Sequence, residues 1–540
     1  MKGIKKKKSV LFFEYTAVFL LFSLMYFFIL PQLDVFIFAR ATDGSPADAV
    51  SYSLSYGNGR LLGNIIGVFF SYHFEFAWII VSLFLTSLVI LINRLVANSC
   101  AYTVFPVAAL VAIPSIDMLR ECYYLFASFC NYVIPIVFVL LAYLIQKTIK
   151  ENKAINKILK AVLYAAMLLL FAGGCLFSEN TTIVIFCAVI LAAINGYIEN
   201  KKVTFADVTA VIGAALGSFA MLLIPKITAT EYKMDGYRSV ATDLKNILSL
   251  ASGGLTEFSS IFSRWIFVIF VLTAALVFVI KKQTKGKKSV RSFQLGMIIC
   301  YPFACAAIYA LDSNVKIMRS DIVCFALTAL YALTAFYTLM MIEDKKLRRI
   351  SFMACVLIAS SVAPLMIVDT RGARTYYTTF VIILIFALWL IKQFAPPVIR
   401  QKITEQKRVI SLAGAAAAAV LSVTLFIQSV YNFDLYAMRS DYIAQNIDSQ
   451  QLLEIPVLPF DGISVEWGAD FSYKIWVVDT DEENNKCKYI NIKSSDMFDE
   501  YYDKVIDVPI FKAVSFAAEN YEFKNPLYPQ QLREKYNAER

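Results

Sequence analysis

Charged residues and histidines are scarce in this 540-residue chain. Asp, Glu, Lys and Arg together make up 17% of the sequence, His73 is the single histidine, and the ten cysteines are scattered without a CxxC pair. Zinc sites need closely spaced cysteine or histidine ligands, so this composition argues against a zinc centre. A metal cofactor would have to be a hard divalent cation, Mg²⁺ or Mn²⁺, bound by carboxylates.

Patterns that bind nucleotides or nucleic acids are also missing. The sequence has no Gly-rich phosphate-binding loop that ends in Lys and Ser or Thr, and its inner loops are too short for a nucleotide-binding domain. Membrane orientation and anionic lipid explain the lysine-rich segment 281–288. We therefore expect no nucleic-acid partner and no nucleotide-sugar chemistry on the inner side.

Long hydrophobic runs dominate instead, at 59% hydrophobic residues. They come in blocks of about twenty residues, enough for a helix to cross the hydrocarbon with its backbone polar groups satisfied. The first block is too long for a secretory signal and is read as an uncleaved helix. The sequence predicts an all-α polytopic membrane protein, with the lipid bilayer as partner and thirteen spans at about 12–30, 74–93, 101–115, 129–146, 158–176, 181–198, 206–225, 264–280, 293–311, 321–342, 350–368, 376–391 and 409–430.

Basic residues predict the orientation of these spans. With the amino terminus inside, the predicted inner segments hold more than twice as many Lys and Arg residues as the outer loops, as the positive-inside rule requires. An odd number of spans then sends the carboxyl terminus outside. We expect a protein of the bacterial inner membrane with a cytoplasmic amino terminus.

The tail, residues 431–540, differs from the rest of the chain. It has 20 acidic and 11 basic residues. Alternating residues from Tyr473 to Val478 predict a short strand, and Met438 to Gln450 predict an amphipathic helix. We expect two parts: a transmembrane domain over 1–430, with a catalytic outer loop at 31–60, and a small extracytoplasmic acidic α+β domain over 431–540.

Ionisable residues collect in the predicted outer loops and are almost missing from the span interiors. Ion-coupled carriers usually keep charges near the middle of the membrane, so this distribution favours chemistry at the outer rim. A carboxylate can take a proton from an acceptor hydroxyl, and arginines bind phosphate in a bidentate fashion. Nucleotides are scarce outside cells, so a lipid phosphate is the simplest activated donor there.

Several short motifs in these loops resemble those of GT-C type glycosyltransferases, the multi-span class that uses polyprenyl-phosphate sugars, and of an uncharacterised bacterial family near that class. The likeness covers roughly residues 10–395. It is carried by Asp34, Gly59-Arg60, Ser128 to Asn131-Tyr132 with Pro135, Ser178-Glu179-Asn180-Thr181, Arg371 and Arg374.

The resemblance implies a role for each of these residues. Asp34 is the expected catalytic base, with Asp43 or Asp48 in reserve, and Glu179 is a further catalytic residue. The expected substrate-binding residues are Arg60, Asn131, Tyr132, Asn180, Arg371 and Arg374 from these motifs, and Arg120 from the charged residues of the second outer loop. The implied function is transfer of a sugar from a polyprenyl-phosphate donor to a glycan or lipid acceptor of the cell envelope. The alternatives are a lipid-linked glycan flippase or transporter, and a surface polysaccharide polymerase or ligase.

Overall fold

The computed structural model describes residues 2–32, 35, 38, 45–55, 59–97, 100–152, 154–228, 244–282, 288–310, 321–368, 372–445, 453–456, 458, 460, 463, 473–481 and 486–495. Most of these residues lie in helices. In chain order the helices are α1 (Lys2–Tyr26), α2 (Pro46–Ser55), α3 (Leu61–Tyr72), α4 (Ala77–Ala97), α5 (Val104–Ala112), α6 (Phe126–Tyr132), α7 (Ile134–Glu151), α8 (Lys157–Gly174), α9 (Glu179–Asn200), α10 (Phe205–Thr228), α11 (Leu244–Ser263), α12 (Ile266–Lys282), α13 (Lys288–Ala310), α14 (Asp321–Met340), α15 (Lys345–Val362), α16 (Tyr377–Phe394), α17 (Pro397–Glu405) and α18 (Lys407–Gln445).

The number of membrane-crossing helices agrees with the prediction. Within the described residues, eleven helical segments are long and apolar enough to cross a membrane, and the count rises to thirteen if each of two sharply bent helix pairs is one span. The predicted class, a multi-pass helical membrane protein, is therefore confirmed.

Polar contacts sort the helix ends into two faces of the bundle. At one face, called the site face below, Arg60 before α3 pairs with Glu179 at the start of α9. At the opposite face, Lys150 near the end of α7 pairs with Asp207 near the start of α10. Helices α7 to α10 therefore run alternately between these faces.

The first bent pair extends from the opposite face to the site face. Its two parts, Ala101–Ala112 and Ile116–Tyr124, meet at 85°. The first part starts at the opposite face, where Thr103 donates a hydrogen bond to Asn93 in α4. The second part lies at the site face, where the Tyr123 ring packs on the ring of Tyr377.

The second bent pair has the same construction. Helices α11 and α12 meet at 86°. Arg264, in the turn between them, pairs with Asp117 at the site face, whereas the Lys282 ammonium at the end of α12 donates to the Gln393 carbonyl at the opposite face. These contacts favour thirteen crossings, with α11 lying across the site face.

The last helix is longer than predicted. It runs without a break from Lys407 to Gln445, so the expected boundary at residue 430 and the start of the expected amphipathic helix fall inside it. Three strands follow, β1 (Leu453–Pro456), β2 (Tyr473–Asp481) and β3 (Lys486–Ser495). In this sheet β3 is central, parallel to β1 and antiparallel to β2. Most of the rest of the expected α+β domain lies outside the described residues.

Helix α10 packs on α8 almost backbone to backbone. Gly213 and Gly217 are one turn apart on the same side of α10, and a Cβ atom at Gly217 would lie 2.8 Å from the Ala172 Cα atom of α8. Small residues spaced by four allow such close approach where lipid gives no hydrophobic drive for helix pairing.

This contact predicts opposite effects for two glycine substitutions. Gly217→Ala should push α8 and α10 apart, cost about 1–3 kcal/mol and lower the midpoint of thermal unfolding in detergent. Gly296→Ala in α13 is the matched control, because nothing lies within 4 Å of a Cβ atom there, and alanine favours a helix over glycine by about 1 kcal/mol. An unchanged midpoint for Gly217→Ala would contradict the close packing.

Cysteine labelling tests the count of thirteen. In a cysteine-free background, Glu75→Cys and Ala154→Cys should react with a membrane-impermeant maleimide from opposite sides of sealed vesicles. With thirteen crossings these positions lie on different faces, because Ala101–Ala112 crosses between them. Labelling of both from the same side would mean that Ala101–Tyr124 enters and leaves the membrane on one side.

Candidate functional site

The described part of the chain includes most, but not all, of the residues singled out from the sequence. Asp34, Asp43 and Arg371 lie outside the described residues. Asp48, the other reserve base, lies in the first turn of α2, where its N–H donates to Ser45 Oγ at 3.1 Å. The remaining predicted residues come from five separate segments: Arg60, Arg120, Asn131, Tyr132, Glu179, Asn180 and Arg374.

Arg60 and Glu179 form a close ion pair at the site face. Gly59 adopts a positive φ of 77°, a conformation that glycine reaches without steric cost, and this turn leads Arg60 into α3. The Arg60 Nη2 atom donates to Glu179 Oε2 at 2.7 Å, and Nε donates to the same oxygen at 3.1 Å. Such charge-assisted, forked bonds fix geometry as well as charge.

Arg60 is buried, yet it stays charged. Its side chain is 10% exposed, and its guanidinium carbon lies 5.8 Å from the centre of the Tyr132 ring. Burial alone would lower the pKa of Arg60, but the Glu179 carboxylate and Tyr132 outweigh it and raise the pKa above its usual value. The site face therefore keeps a positive charge in a largely dry position.

Helix α9 presents Glu179 and Asn180 by its capping sequence. Ser178 is the N-cap residue, and its Oγ atom accepts a hydrogen bond from the Thr181 N–H. A carboxylate in the first turn is favoured by the helix dipole. Asn180 then donates from Nδ2 to the Thr375 carbonyl at 3.0 Å, which joins α9 to the segment before α16.

Arg374 completes a closed set of contacts. Its Nη1 atom donates to Ser128 Oγ in α6 at 3.0 Å, and α6 also carries Asn131 and Tyr132, the latter beneath Arg60. The circuit of hydrogen bonds, ion pair and cation–π contact is called the polar ring below, and it consists of Arg60, Glu179, Asn180, Thr375, Arg374, Ser128 and Tyr132. Four chain segments thus meet at one place on the site face.

Two buried amide oxygens beside these contacts have no hydrogen-bond donor among the described residues. Asn131 donates from Nδ2 to the Ala127 carbonyl, but its Oδ1 atom has no partner. The Oδ1 atom of Asn180 likewise has no partner among the described residues. A side chain at Gly63 would collide with the Asn131 amide, so this glycine keeps room for it. Both oxygens are thus buried acceptors within the packing of the site face.

Arg120 lies apart from the polar ring. It belongs to a π-helical turn, Leu119–Tyr124, and its guanidinium is 3.8 Å from the Asp117 carboxylate. Asp117 also pairs with Arg264. The structure therefore brings six of the described predicted residues together and gives Arg120 a different neighbourhood.

A cavity of about 440 Å³ lies next to the polar ring, and it is called the rim cavity below. Asp117 and Glu121 form one wall, and Thr256, Glu257, Ser260 and Arg264 form the wall contributed by α11 and the turn after it. Its connection to the polar ring is Glu121, whose Oε2 atom accepts from the Arg374 N–H at 3.2 Å.

Sequence reasoning missed the cavity wall formed by α11. The signal was present, because Gly253, Thr256, Glu257, Ser260 and Arg264 recur at the spacing of one helix face. That face was not among the residues predicted for the site. Its meeting with Asp117 and Glu121, more than a hundred residues away, is not visible in the sequence.

The residues that the structure describes contain no cluster of three or more His, Cys, Asp or Glu side chains able to hold a metal ion. The carboxylates Asp117, Glu121 and Glu257 of the rim cavity do not form such a cluster. The described part of the site thus gives no support for a Mg²⁺ or Mn²⁺ site.

No family model, curated protein or solved structure matches this chain. The resemblance to GT-C type glycosyltransferases therefore rests on the sequence motifs, and the geometry of the site face has to support any function on its own.

The ion pair of the polar ring yields a stability prediction. Glu179→Gln replaces a charge-assisted fork with a neutral amide and should cost about 1–3 kcal/mol, seen as a lower midpoint of thermal unfolding in detergent. Glu405→Gln is the matched control, because Glu405 is exposed at the end of α17 and exposed substitutions usually change stability by less than about 0.5 kcal/mol. Equal midpoints for the two variants would show that the fork does not hold the site together.

Proposed function

We propose that this protein is a membrane glycosyltransferase that moves a sugar from a polyprenyl-phosphate donor to an acceptor of the cell envelope at the site face. The observation that carries the proposal is the polar ring. Two arginines from distant loops, Arg60 and Arg374, meet there beside buried amide oxygens, at the end of a bundle whose described spans are apolar.

The polar ring suits the binding of a lipid phosphate. Arginine forks match the geometry of phosphate oxygens and can stabilise the charge that develops on a leaving phosphate. In this proposal Arg374 contacts the donor phosphate, and Glu179 holds Arg60 in position. Asn131 and Asn180, which lie next to these residues, remain the residues proposed to bind the sugar.

The transfer itself is an attack at the anomeric carbon. The acceptor oxygen forms the new bond while the bond between that carbon and the phosphate oxygen breaks, and the lipid phosphate leaves with the electron pair. A carboxylate takes the proton of the acceptor hydroxyl. Asp34 of the first outer loop remains the proposed base, with Asp43 in reserve, and Arg371 remains a second proposed phosphate ligand.

We also propose that the site face is the extracytoplasmic face of a bacterial inner membrane. Basic residues at the start of α15, on the opposite face, support this orientation through the positive-inside rule. Helix α18 reaches the site face at Ser429, whose hydroxyl lies 3.2 Å from that of Tyr124, and continues to Gln445. The tail beyond it would then be the extracytoplasmic α+β domain.

Enzyme variants separate this function from lipid transport. Purified protein is incubated with radiolabelled polyprenyl-phosphate sugars and an envelope lipid extract, and release of the lipid is followed. Arg374→Gln should slow release by about 10²–10³-fold, the cost of losing one transition-state donor, and Asp34→Asn should abolish transfer but keep lipid binding.

Arg349→Gln is the control for Arg374→Gln, because Arg349 pairs with Glu199 at the opposite face and should leave the rate unchanged. Movement of intact labelled lipid across proteoliposomes, without cleavage, would contradict the proposal in favour of a flippase. Transfer of whole glycans, and not of single sugars, would indicate a polymerase or ligase.

A further inference from the structure

The opposite face carries a group of basic residues that the proposed reaction does not use, where α9 ends and α15 begins. It consists of Lys201, Lys202, Lys345 and Arg348 and is called the basic edge below. We propose that the basic edge binds the headgroup of an anionic phospholipid. This binding site lies at the other end of the bundle from the polar ring, so it does not depend on the proposed glycosyltransferase function.

A shared carboxylate holds the two helix ends together. Glu199, near the end of α9, accepts from Lys346 Nζ at 3.3 Å and from Arg349 Nη2 at 3.1 Å, both in the first two turns of α15. The Arg349 Nε atom also donates to Asn195 Oδ1 at 2.8 Å. One negative charge is thus engaged by two cations, and the residues of the basic edge extend from the same two helix ends.

The four cations of the basic edge are open to the surroundings. Lys345 and Arg348 are exposed at the start of α15, and Lys201 and Lys202 are exposed just after α9. In the part of the chain that the structure describes, none of the four pairs with a carboxylate. Basic side chains at a membrane surface attract anionic lipid headgroups, so the basic edge has the charge that such a headgroup requires.

Acidic residues of the same segments do not cancel this charge. Residues 199–202 and 343–349 contain six basic residues and three acidic ones, Glu199, Glu343 and Asp344. Asp344 is the N-cap residue of α15, and its Oδ1 atom accepts from the N–H groups of Lys346 and Leu347. The basic residues are therefore in excess by three.

The neighbouring helices are balanced at this face. Lys150 of α7 pairs with Asp207 of α10, and Lys147 pairs with Glu151 within α7. These two ion pairs add no net charge beside the basic edge.

The exposed side of α15 changes from basic to apolar along its length. Lys345, Arg348, Phe352 and Ala359 are spaced by three, four and seven residues, which places them on one stripe of the helix, and all four are exposed. The stripe starts at the opposite face and runs into the span. A phospholipid has the same order, a charged headgroup followed by acyl chains.

Helix α9 shows this order in the other direction. Its exposed residues Ile194, Tyr197 and Ile198 lead to Lys201 at the opposite face. Helices α9 and α15 are antiparallel and meet through Glu199 and Arg349, so the turn of each helix places its exposed stripe on the same side of that contact. One lipid can therefore contact both helices.

The backbone of Lys201 supports a role for its side chain. Its φ is 55°, and among the described residues it is the one residue other than glycine with a positive φ. Its N–H donates to the Tyr197 carbonyl at 2.7 Å and so ends the helix, a position where glycine is usual. A lysine here keeps a cation at the end of α9 in a conformation that glycine would reach without steric cost.

Competition between two lipids tests the proposal. The full-length protein is titrated in mixed micelles with phosphatidylglycerol and phosphatidylcholine of the same acyl chains, and bound lipid is counted by native mass spectrometry. Phosphatidylglycerol should bind more than about 30-fold more tightly. The double variant Lys345→Gln with Arg348→Gln should weaken its binding by about 10–30-fold and leave phosphatidylcholine unchanged, because each cation contributes about fivefold at an anionic surface.

The control removes the same charge elsewhere on the opposite face. Lys157→Gln with Lys160→Gln changes two lysines with the same spacing at the start of α8 and should leave phosphatidylglycerol binding within about twofold. Equal losses in the two double variants would show that only the general positive charge of this face matters, and would overturn the proposal. Equal binding of the two lipids to the native protein would also overturn it.

Lys201→Gly separates lipid binding from stability. Glycine suits the positive φ at this position, so the midpoint of thermal unfolding should stay the same or rise, whereas phosphatidylglycerol binding should weaken about fivefold. Unchanged binding would refute a site shared by α9 and α15. Displacement of the bound lipid by inorganic phosphate alone would reject the lipid in favour of a soluble anion.

Discussion

The fork between Arg60 and Glu179 organises the site face. A guanidinium is costly to bury unless it is paired and hydrogen-bonded, and here it lies between a carboxylate at the start of α9 and the ring of Tyr132 in α6. Satisfying this one charge therefore holds three segments of the chain together. Asn180, next to the carboxylate, extends the same network to the segment before α16 through the Thr375 carbonyl.

The cost of burying an unpaired charge also constrains the rest of the bundle. Charged groups in the described residues are found mainly where helices end, and Asp207, which is buried at the opposite face, has Lys150 and Thr204 as partners. Where polar contacts between helices are missing, close glycine contacts, such as that of Gly217 with α8, allow the helices to pack together. The result is an apolar bundle with polar contacts at both faces, and the contacts of the site face contain the candidate site.

Sequence patterns revealed the crossings because hydrophobic length is a local property, and they revealed the rim motifs because polar residues stand out between apolar blocks. They could not show which rim residues meet. Arg60 and Glu179 are 119 positions apart, and Arg374 and Ser128 are 246 apart, so only the packing of the bundle joins them. Helix α18 was predicted to end near residue 430, because polar residues there look like the start of a new element; the backbone continues in the same helix to Gln445.

The path of the chain after α18 has a consequence for the tail. Twenty-eight positions beyond Asn432, the backbone returns, and Phe460 both donates to and accepts from the Asn432 amide, as a neighbouring strand would. Gln32, just after the first span, lies within reach of Ile463 in the same returning stretch. The chain after the final helix is therefore held against the bundle at Phe460 and Ile463. The tail is tethered at its base, so any ligand that it binds is kept at a high effective concentration beside the rim.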